Sequence, residues 1–86
     1  MTLPPSRVEI VAALHDTNYN PLASRVAEAM TAYAFAFQAD AWRRGSLELI
    51  ELPAPTDEVE AFALELFLVE TRAQMPNTTI KIKGDS

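Results

Sequence analysis

The chain has 86 residues, a hydrophobic fraction of 49% and a formal net charge of −5. A chain of this length forms one small domain, residues 1–86, and its apolar content is too high for a disordered protein. It contains no cysteine, which excludes disulfides, thiolate metal sites and cysteine nucleophiles. We expect a single domain whose ends, residues 1–5 and 84–86, are flexible.

The first predicted element is a short helix that begins after Ser6 and runs to about His15. Ser6 and Glu9 have the spacing of a capping box, which satisfies two backbone N–H groups at a helix start. The alternation of residues 7–10 also fits a strand, but the alanines that follow favour the helix. The side chains predicted to face the core are Val8, Val11 and Leu14, with Ile10 as a further candidate.

The longest predicted element is a helix over Pro21–Arg44. Asn20 is a good N-cap, and proline is tolerated in the first turn because its missing N–H is not needed there. Gly45 can adopt the left-handed conformation that ends many helices. Local chemistry therefore predicts both ends of this helix.

This helix carries a broad apolar face and a narrower aromatic strip, formed by Phe35 and Trp42 one heptad apart. Two interpretations of the aromatic strip stay open. Either the rest of the chain covers it, or it is a contact surface with Trp42 as an anchor, since buried aromatics often dominate binding energy. The side that carries Asp40 and Arg43 is expected to be solvated. The broad face, predicted to be core, contains Ala23, Val26, Ala27, Met30, Tyr33, Ala34, Phe37 and Ala41.

Two short strands are predicted after this helix. Ser46–Leu52 is rich in leucine and lies between Gly45 and a proline pair, whereas Thr78–Lys83 alternates apolar and polar residues. The chain between them has the length of a right-handed crossover, which would make the strands parallel neighbours. A two-stranded sheet has open edges that a strand of a partner chain can extend. In this pairing Glu48 or Glu51 is expected to oppose Lys81 or Lys83.

A third helix, capped by Thr56 and ending near Gln74, connects the strands. It carries two apolar arcs, one of which contains Leu64 and Leu68. A monomer of this size has difficulty burying both arcs and the aromatic strip, which predicts a protein interface. The fold class that follows is α+β and helix-dominated, in the order α-α-β-α-β, with a long central helix and a small two-stranded sheet.

The negative charge is concentrated in residues 45–71, which hold seven carboxylates and no Lys or Arg. Such a segment repels a phosphate backbone, so direct nucleic-acid binding is not expected. It suits a basic protein partner, including one that itself binds nucleic acid. The alternative is a solvated acidic surface that keeps the protein soluble. The carboxylates predicted to steer a partner are Glu48, Glu51, Glu58 and Glu65.

Catalytic and cofactor patterns are missing from the sequence. Two glycines and one histidine leave no phosphate-cradling loop and no usual zinc site. The most apolar window is too short to span a membrane and the first residues lack a signal-peptide pattern, so a cytoplasmic protein is expected. We expect no cofactor, no bound metal and no enzyme activity.

The favoured function is a non-enzymatic protein-interaction module, such as an adaptor, an assembly component or an inhibitor. Its partner is a protein with a basic surface or a second copy of the chain. The predicted contact residues are Phe35, Trp42, Glu48, Glu51, Glu58, Leu64, Glu65 and Leu68. The alternative is a small-ligand-binding protein or minor enzyme with a pocket between the helices or at a dimer interface, lined by His15, Tyr33, Asp40 or Arg43.

Overall fold

The computed structural model describes residues 5–16, 18 and 20–84. The predicted helix-dominated α+β class and the order α-α-β-α-β are confirmed. The flexible ends predicted at residues 1–5 and 84–86 lie mostly outside the described residues. The elements are α1 (Arg7–Leu14), α2 (Pro21–Arg44), β1 (Leu49–Leu52), α3 (Glu58–Gln74) and β2 (Thr79–Ile82).

Ser6 and Asn20 cap α1 and α2 as predicted, but among the described residues only one of the two hydrogen bonds of the predicted Ser6–Glu9 capping box is present. Ser6 Oγ accepts a hydrogen bond from the N–H of Glu9 at 3.3 Å, and Asn20 Oδ1 accepts one from the N–H of Leu22 at 2.9 Å. Gly45 ends α2 with a φ of 66°, a left-handed conformation that glycine adopts without strain. The long helix therefore begins and ends at the predicted residues.

The predicted cap of α3 is wrong by one residue, because Asp57 rather than Thr56 is the N-cap. Asp57 Oδ1 accepts a hydrogen bond from the N–H of Glu60 at 2.8 Å. The hydroxyl of Thr56 instead donates to Glu60 Oε2 at 2.8 Å, one residue before the cap. Aspartate caps a helix at least as well as threonine, and its charge also favours the positive end of the helix dipole.

The predicted core face of α1 is also wrong. Ile10 is fully buried and Ala13 is nearly so, whereas Val8 is 77% exposed and Val11 and Leu14 are 37% and 40% exposed. An eight-residue helix has only two turns, so it presents one residue per turn to the space between α2 and α3. Ile10 and Ala13, three residues apart, occupy those places.

The predicted core face of α2 is largely confirmed. Val26, Tyr33 and Phe37 are buried and Met30 is half-buried, whereas Ala27 is exposed. Two apolar clusters lie along this face, one shared with α1 and α3 and the other shared with β1 and α3. Their buried members are Ile10, Val26, Val59, Phe62 and Ala63 in the first, and Tyr33, Phe37, Ile50, Leu52 and Leu64 in the second.

The strands pair in parallel, as predicted, with Glu51 opposite Lys81 in the register. Each strand has 4 residues and is shorter than predicted. Ser46 Oγ accepts a hydrogen bond from the N–H of Glu48 at 3.0 Å, which holds the chain in a local turn before β1. β1 packs against α2, and β2 lies beside β1 away from α2. Extension of this sheet by a partner strand stays a prediction.

The burial of α1 yields a paired test of the fold. Ile10→Val shortens a fully buried side chain and is expected to lower the free energy of unfolding by about 0.5–1.5 kcal/mol. Val8→Ala changes an exposed helical position, so we expect no loss of stability or a slight gain. Urea unfolding followed by circular dichroism measures both. Equal losses in the two variants would contradict the observed orientation of α1.

Candidate functional site

The aromatic strip is not covered by the described part of the chain. Trp42 is 89% exposed and Phe35 is 67% exposed. Both side chains lie on the side of α2 turned away from the buried residues Tyr33 and Phe37. The sequence left two interpretations open. The first, that the rest of the chain covers the aromatic strip, is therefore excluded as far as residues 5–16, 18 and 20–84 are concerned.

A shallow apolar groove extends from Trp42 and the turn after α2 into the space between α2 and α3. It consists of two depressions of about 570 and 530 Å³ that share Phe37, Gln38 and Leu47. The rings of Phe37 and Phe67 meet edge to face below it, with centroids 6.0 Å apart. We call this feature the α2–α3 groove. Its remaining apolar lining is Met30, Ala34, Ala41 and Met75.

Leu47 lines the groove but was not among the contact residues predicted from the sequence. It follows the left-handed Gly45 and stands 51% exposed on the wall that both depressions share. In the sequence analysis it belonged to the predicted strand Ser46–Leu52. The signal that identifies it is the turn at residues 45–48, which holds it outside β1.

Of the predicted contact residues Leu64 and Leu68, the first is a core residue and the second packs against the core. Leu64 is 6% exposed, and Leu68 is half-buried against the same cluster as Tyr33. The prediction from the sequence underestimated how much of the apolar surface of α3 a single chain can bury. Burial is efficient because α1 covers one side of α3 and the sheet covers the other.

Glu65, predicted to steer a partner, is paired within the chain. Arg7 donates two hydrogen bonds to its carboxylate at 2.6 and 2.8 Å, and the guanidinium lies 5.0 Å from the centre of the Phe62 ring. These hydrogen bonds lower the pKa of Glu65 and raise the pKa of Arg7. Because both side chains are exposed, the pair orients α1 on α3 but contributes little stability.

The other carboxylates predicted to steer a partner differ in their exposure and in their distance from the α2–α3 groove. Glu48 and Glu58 are exposed, and no described residue forms an ion pair with them. Glu48 follows Leu47 directly and so lies near the α2–α3 groove, whereas Glu58 does not line it. Glu51 is half-buried in β1, and Glu70, not selected from the sequence, lines the groove.

Asp40 is buried, although the sequence analysis placed it on a solvated side. It is 4% exposed, and its Oδ2 accepts hydrogen bonds from Arg44 Nε at 2.6 Å and from the N–H of Glu51 at 2.9 Å. Arg43 donates to Oδ1. Asp40 follows Phe37 by three residues, a spacing that places it beside the core. Its carboxylate ties the last turns of α2 to β1.

A separate cavity of about 370 Å³ lies between the first half of α2 and the start of α3. Tyr33 lines it and is 4% exposed, and the hydroxyl has no hydrogen-bond partner among the described residues. Burial, followed by the charges of Glu60 and Asp57, raises the pKa of Tyr33. We call this feature the Tyr33 cavity. Its other charged lining residues are Arg25, Glu28, Asp57 and Glu60.

The pocket predicted from His15, Tyr33, Asp40 and Arg43 does not form as one site. Tyr33 lines its own cavity, while Asp40 and Arg43 line a different depression beside Glu51. His15 is exposed at the end of α1. No sequence pattern signalled the residues that accompany Tyr33, because α2 and α3 meet there only in the folded chain.

The comparisons give no relative: no protein-family model matches the chain, and neither a curated protein nor a solved structure is significantly similar to it. Within the described part of the chain, no helix combines the length and apolar character needed to cross a membrane. Among residues 5–16, 18 and 20–84, no group of three or more potential ligand side chains is placed to hold a metal ion. Any function must therefore be argued from the surface itself.

The contacts of Asp40 predict a specific acid sensitivity. The N–H of Glu51 and the guanidinium of Arg44 lower the pKa of Asp40 from 3.8 to about 2. A lowered folded-state pKa contributes stability that is complete above the unfolded-state value and is lost as the pH falls toward the folded-state value. We therefore expect Asp40→Asn to be less stable than the wild type above pH 4, with the difference shrinking between about pH 4 and pH 2.

Urea unfolding at a series of pH values measures this difference. Glu48→Gln, which removes an exposed carboxylate, serves as the control and should leave the free energy of unfolding nearly unchanged. A gap between wild type and Asp40→Asn that stays constant down to pH 2 would show that the Asp40 carboxylate does not stabilise the fold through its charge.

Proposed function

We propose that this chain is a non-enzymatic protein-binding module that holds a basic amphipathic segment of a partner protein in the α2–α3 groove. The observation that carries this proposal is the exposure of Trp42, which is 89% exposed, whereas Tyr33, Phe37 and Phe62 are buried. Tryptophan combines a large apolar surface with one polar N–H, and it is enriched among residues that dominate binding energy.

The groove beside Trp42 supports an apolar contact. Leu47 forms its wall, and Phe37 and Phe67 form an aromatic base below it. Met30 and Met75 add unbranched side chains that can adapt to different partner surfaces. Full burial of one leucine or phenylalanine side chain is worth about 1.5–3 kcal/mol, so each apolar contact made here would add to the affinity.

Charge supports a basic partner over a second copy. The chain carries a net charge of −5, and Glu48 and Glu70 lie near or along the groove. Two copies would repel one another, whereas a segment rich in lysine or arginine would be attracted and would associate faster at low salt. Such a module acts as an adaptor, an assembly component or an inhibitor, and the cytoplasmic location predicted from the sequence is part of the same proposal.

Trp42→Ala tests the proposal against a synthetic amphipathic helix of leucine and lysine as the probe. We expect the variant to bind the peptide at least about tenfold more weakly, as for an interface anchor. Its free energy of unfolding should change by less than about 0.5 kcal/mol, because the side chain is exposed. Fluorescence anisotropy of a labelled peptide at two salt concentrations measures binding, and binding should weaken as salt rises.

Val69→Ala is the matched control, since Val69 is 66% exposed on α3 but does not line the groove. It should leave both peptide binding and stability unchanged. Equal weakening in the two variants would mean that the peptide binds without using the groove. Light scattering checks the alternative occupant. If the wild type is a dimer and Trp42→Ala is a monomer, a second copy of the chain occupies the groove and the proposal of a basic partner is wrong.

A further inference from the structure

The hydroxyl of Tyr33 is a buried polar group that the described residues leave without a hydrogen bond. A buried hydroxyl without a partner is costly, and such groups are rare in stable folds. Tyr33 lines the Tyr33 cavity, and the carboxylates of Asp57 and Glu60 that line the same cavity act electrostatically on its hydroxyl. A ligand bound in this cavity could therefore supply the hydrogen-bond partner that the Tyr33 hydroxyl lacks.

The charged side chains that line this cavity carry a net negative charge. Three carboxylates face one guanidinium, and that guanidinium, of Arg25, lies 3.5 Å from Asp57 Oδ2. Glu60 receives hydrogen bonds from Thr56, but a neutral hydroxyl and N–H leave its negative charge in place. Glu28 forms no ion pair with any described residue. A cation is the guest that compensates these charges.

The shape of the cavity limits the size of that cation. Its volume of about 370 Å³ admits a short alkyl chain but no folded segment, and small apolar groups line part of it. Arg25 and Glu28 are exposed, and a change of their side-chain rotamers would admit a guest to the buried hydroxyl. The apolar lining residues are Ala29, Ala32, Pro53 and Val59.

We propose that the Tyr33 cavity binds an alkylammonium group, with Glu28 and Glu60 compensating its charge and the Tyr33 hydroxyl oxygen accepting a hydrogen bond from the ammonium group. This site does not rest on the proposed function, because it shares no lining residue with the α2–α3 groove. The ammonium group belongs either to a small free amine or to a lysine side chain of a bound peptide. Both sources present the same chemistry to the cavity.

Titration with n-butylammonium, followed by the backbone amide signals in nuclear magnetic resonance spectra, tests the site. We expect shifts at Tyr33, Glu28 and Glu60, and much smaller shifts with n-butanol, which has the same chain without the charge. Trp42 fluorescence should not change during this titration. The readout is therefore separate from that of the peptide experiment, and the two proposals can fail independently.

Three variants sharpen the result. Glu28→Gln should weaken butylammonium binding about two- to fivefold, as expected for one partly exposed ion pair. Glu9→Gln removes an exposed carboxylate outside the cavity and should have no effect. Tyr33→Phe should weaken binding while folding at least as stably as the wild type, because it removes a buried hydroxyl without a partner.

Equal shifts with butanol and butylammonium, or equal affinities of the Glu28→Gln and Glu9→Gln variants, would overturn the proposal. If Tyr33→Phe binds butylammonium as tightly as the wild type, the hydroxyl takes no part in binding, and this result would also overturn the proposal. A parallel titration with N-acetyl-lysine methylamide separates the sources. Tighter binding of the lysine derivative would support delivery by a peptide, and equal binding would support a free amine.

Discussion

The buried carboxylate of Asp40 is the contact on which the arrangement of this small domain depends. It accepts a hydrogen bond from the backbone of Glu51, at 2.9 Å, and is neutralised by Arg43 and Arg44 of its own helix. A buried carboxylate is tolerated only with such partners, and losing one would leave an uncompensated charge. The end of α2 and the start of the sheet are therefore fixed relative to one another.

The exposed surface follows from the same contact. Trp42 comes two residues after Asp40, a rotation of about 200° around a helix, so a buried Asp40 turns Trp42 toward solvent. The turn from Gly45 to β1 is short, and it places Leu47 beside Trp42 at the end of the α2–α3 groove. Asp40, which stabilises the fold, and Trp42, the proposed anchor for binding, thus lie on opposite sides of the same turn of α2.

Local chemistry made much of the fold predictable from the sequence. Asn20 and Gly45 determine the ends of α2, and the parallel pairing of β1 with β2 follows from the length of the crossover and the alternation around Lys81. The exposed position of Trp42 was one of two outcomes that its place on the helix allowed. These features depend on neighbours in the sequence or on one simple pairing rule.

Apart from the α3 cap, which differs from the prediction by one residue, the errors concern features that several elements determine together. The face that α1 presents depends on the space between α2 and α3, and this space accepts Ile10 rather than the three residues predicted first. Leu64 was predicted as a contact because the sequence does not show how completely α1 and the sheet cover α3. The Tyr33 cavity likewise exists only where α2 meets the start of α3.

Trp42 is the single tryptophan of the chain, so its fluorescence tests the central claim most directly. We would measure its emission maximum and its quenching by acrylamide in the free protein over a wide range of protein concentrations. An exposed binding surface predicts the emission of a hydrated indole, ready quenching and no dependence on concentration. Emission typical of a buried indole at the lowest concentration would contradict the account, because the chain itself would then cover Trp42.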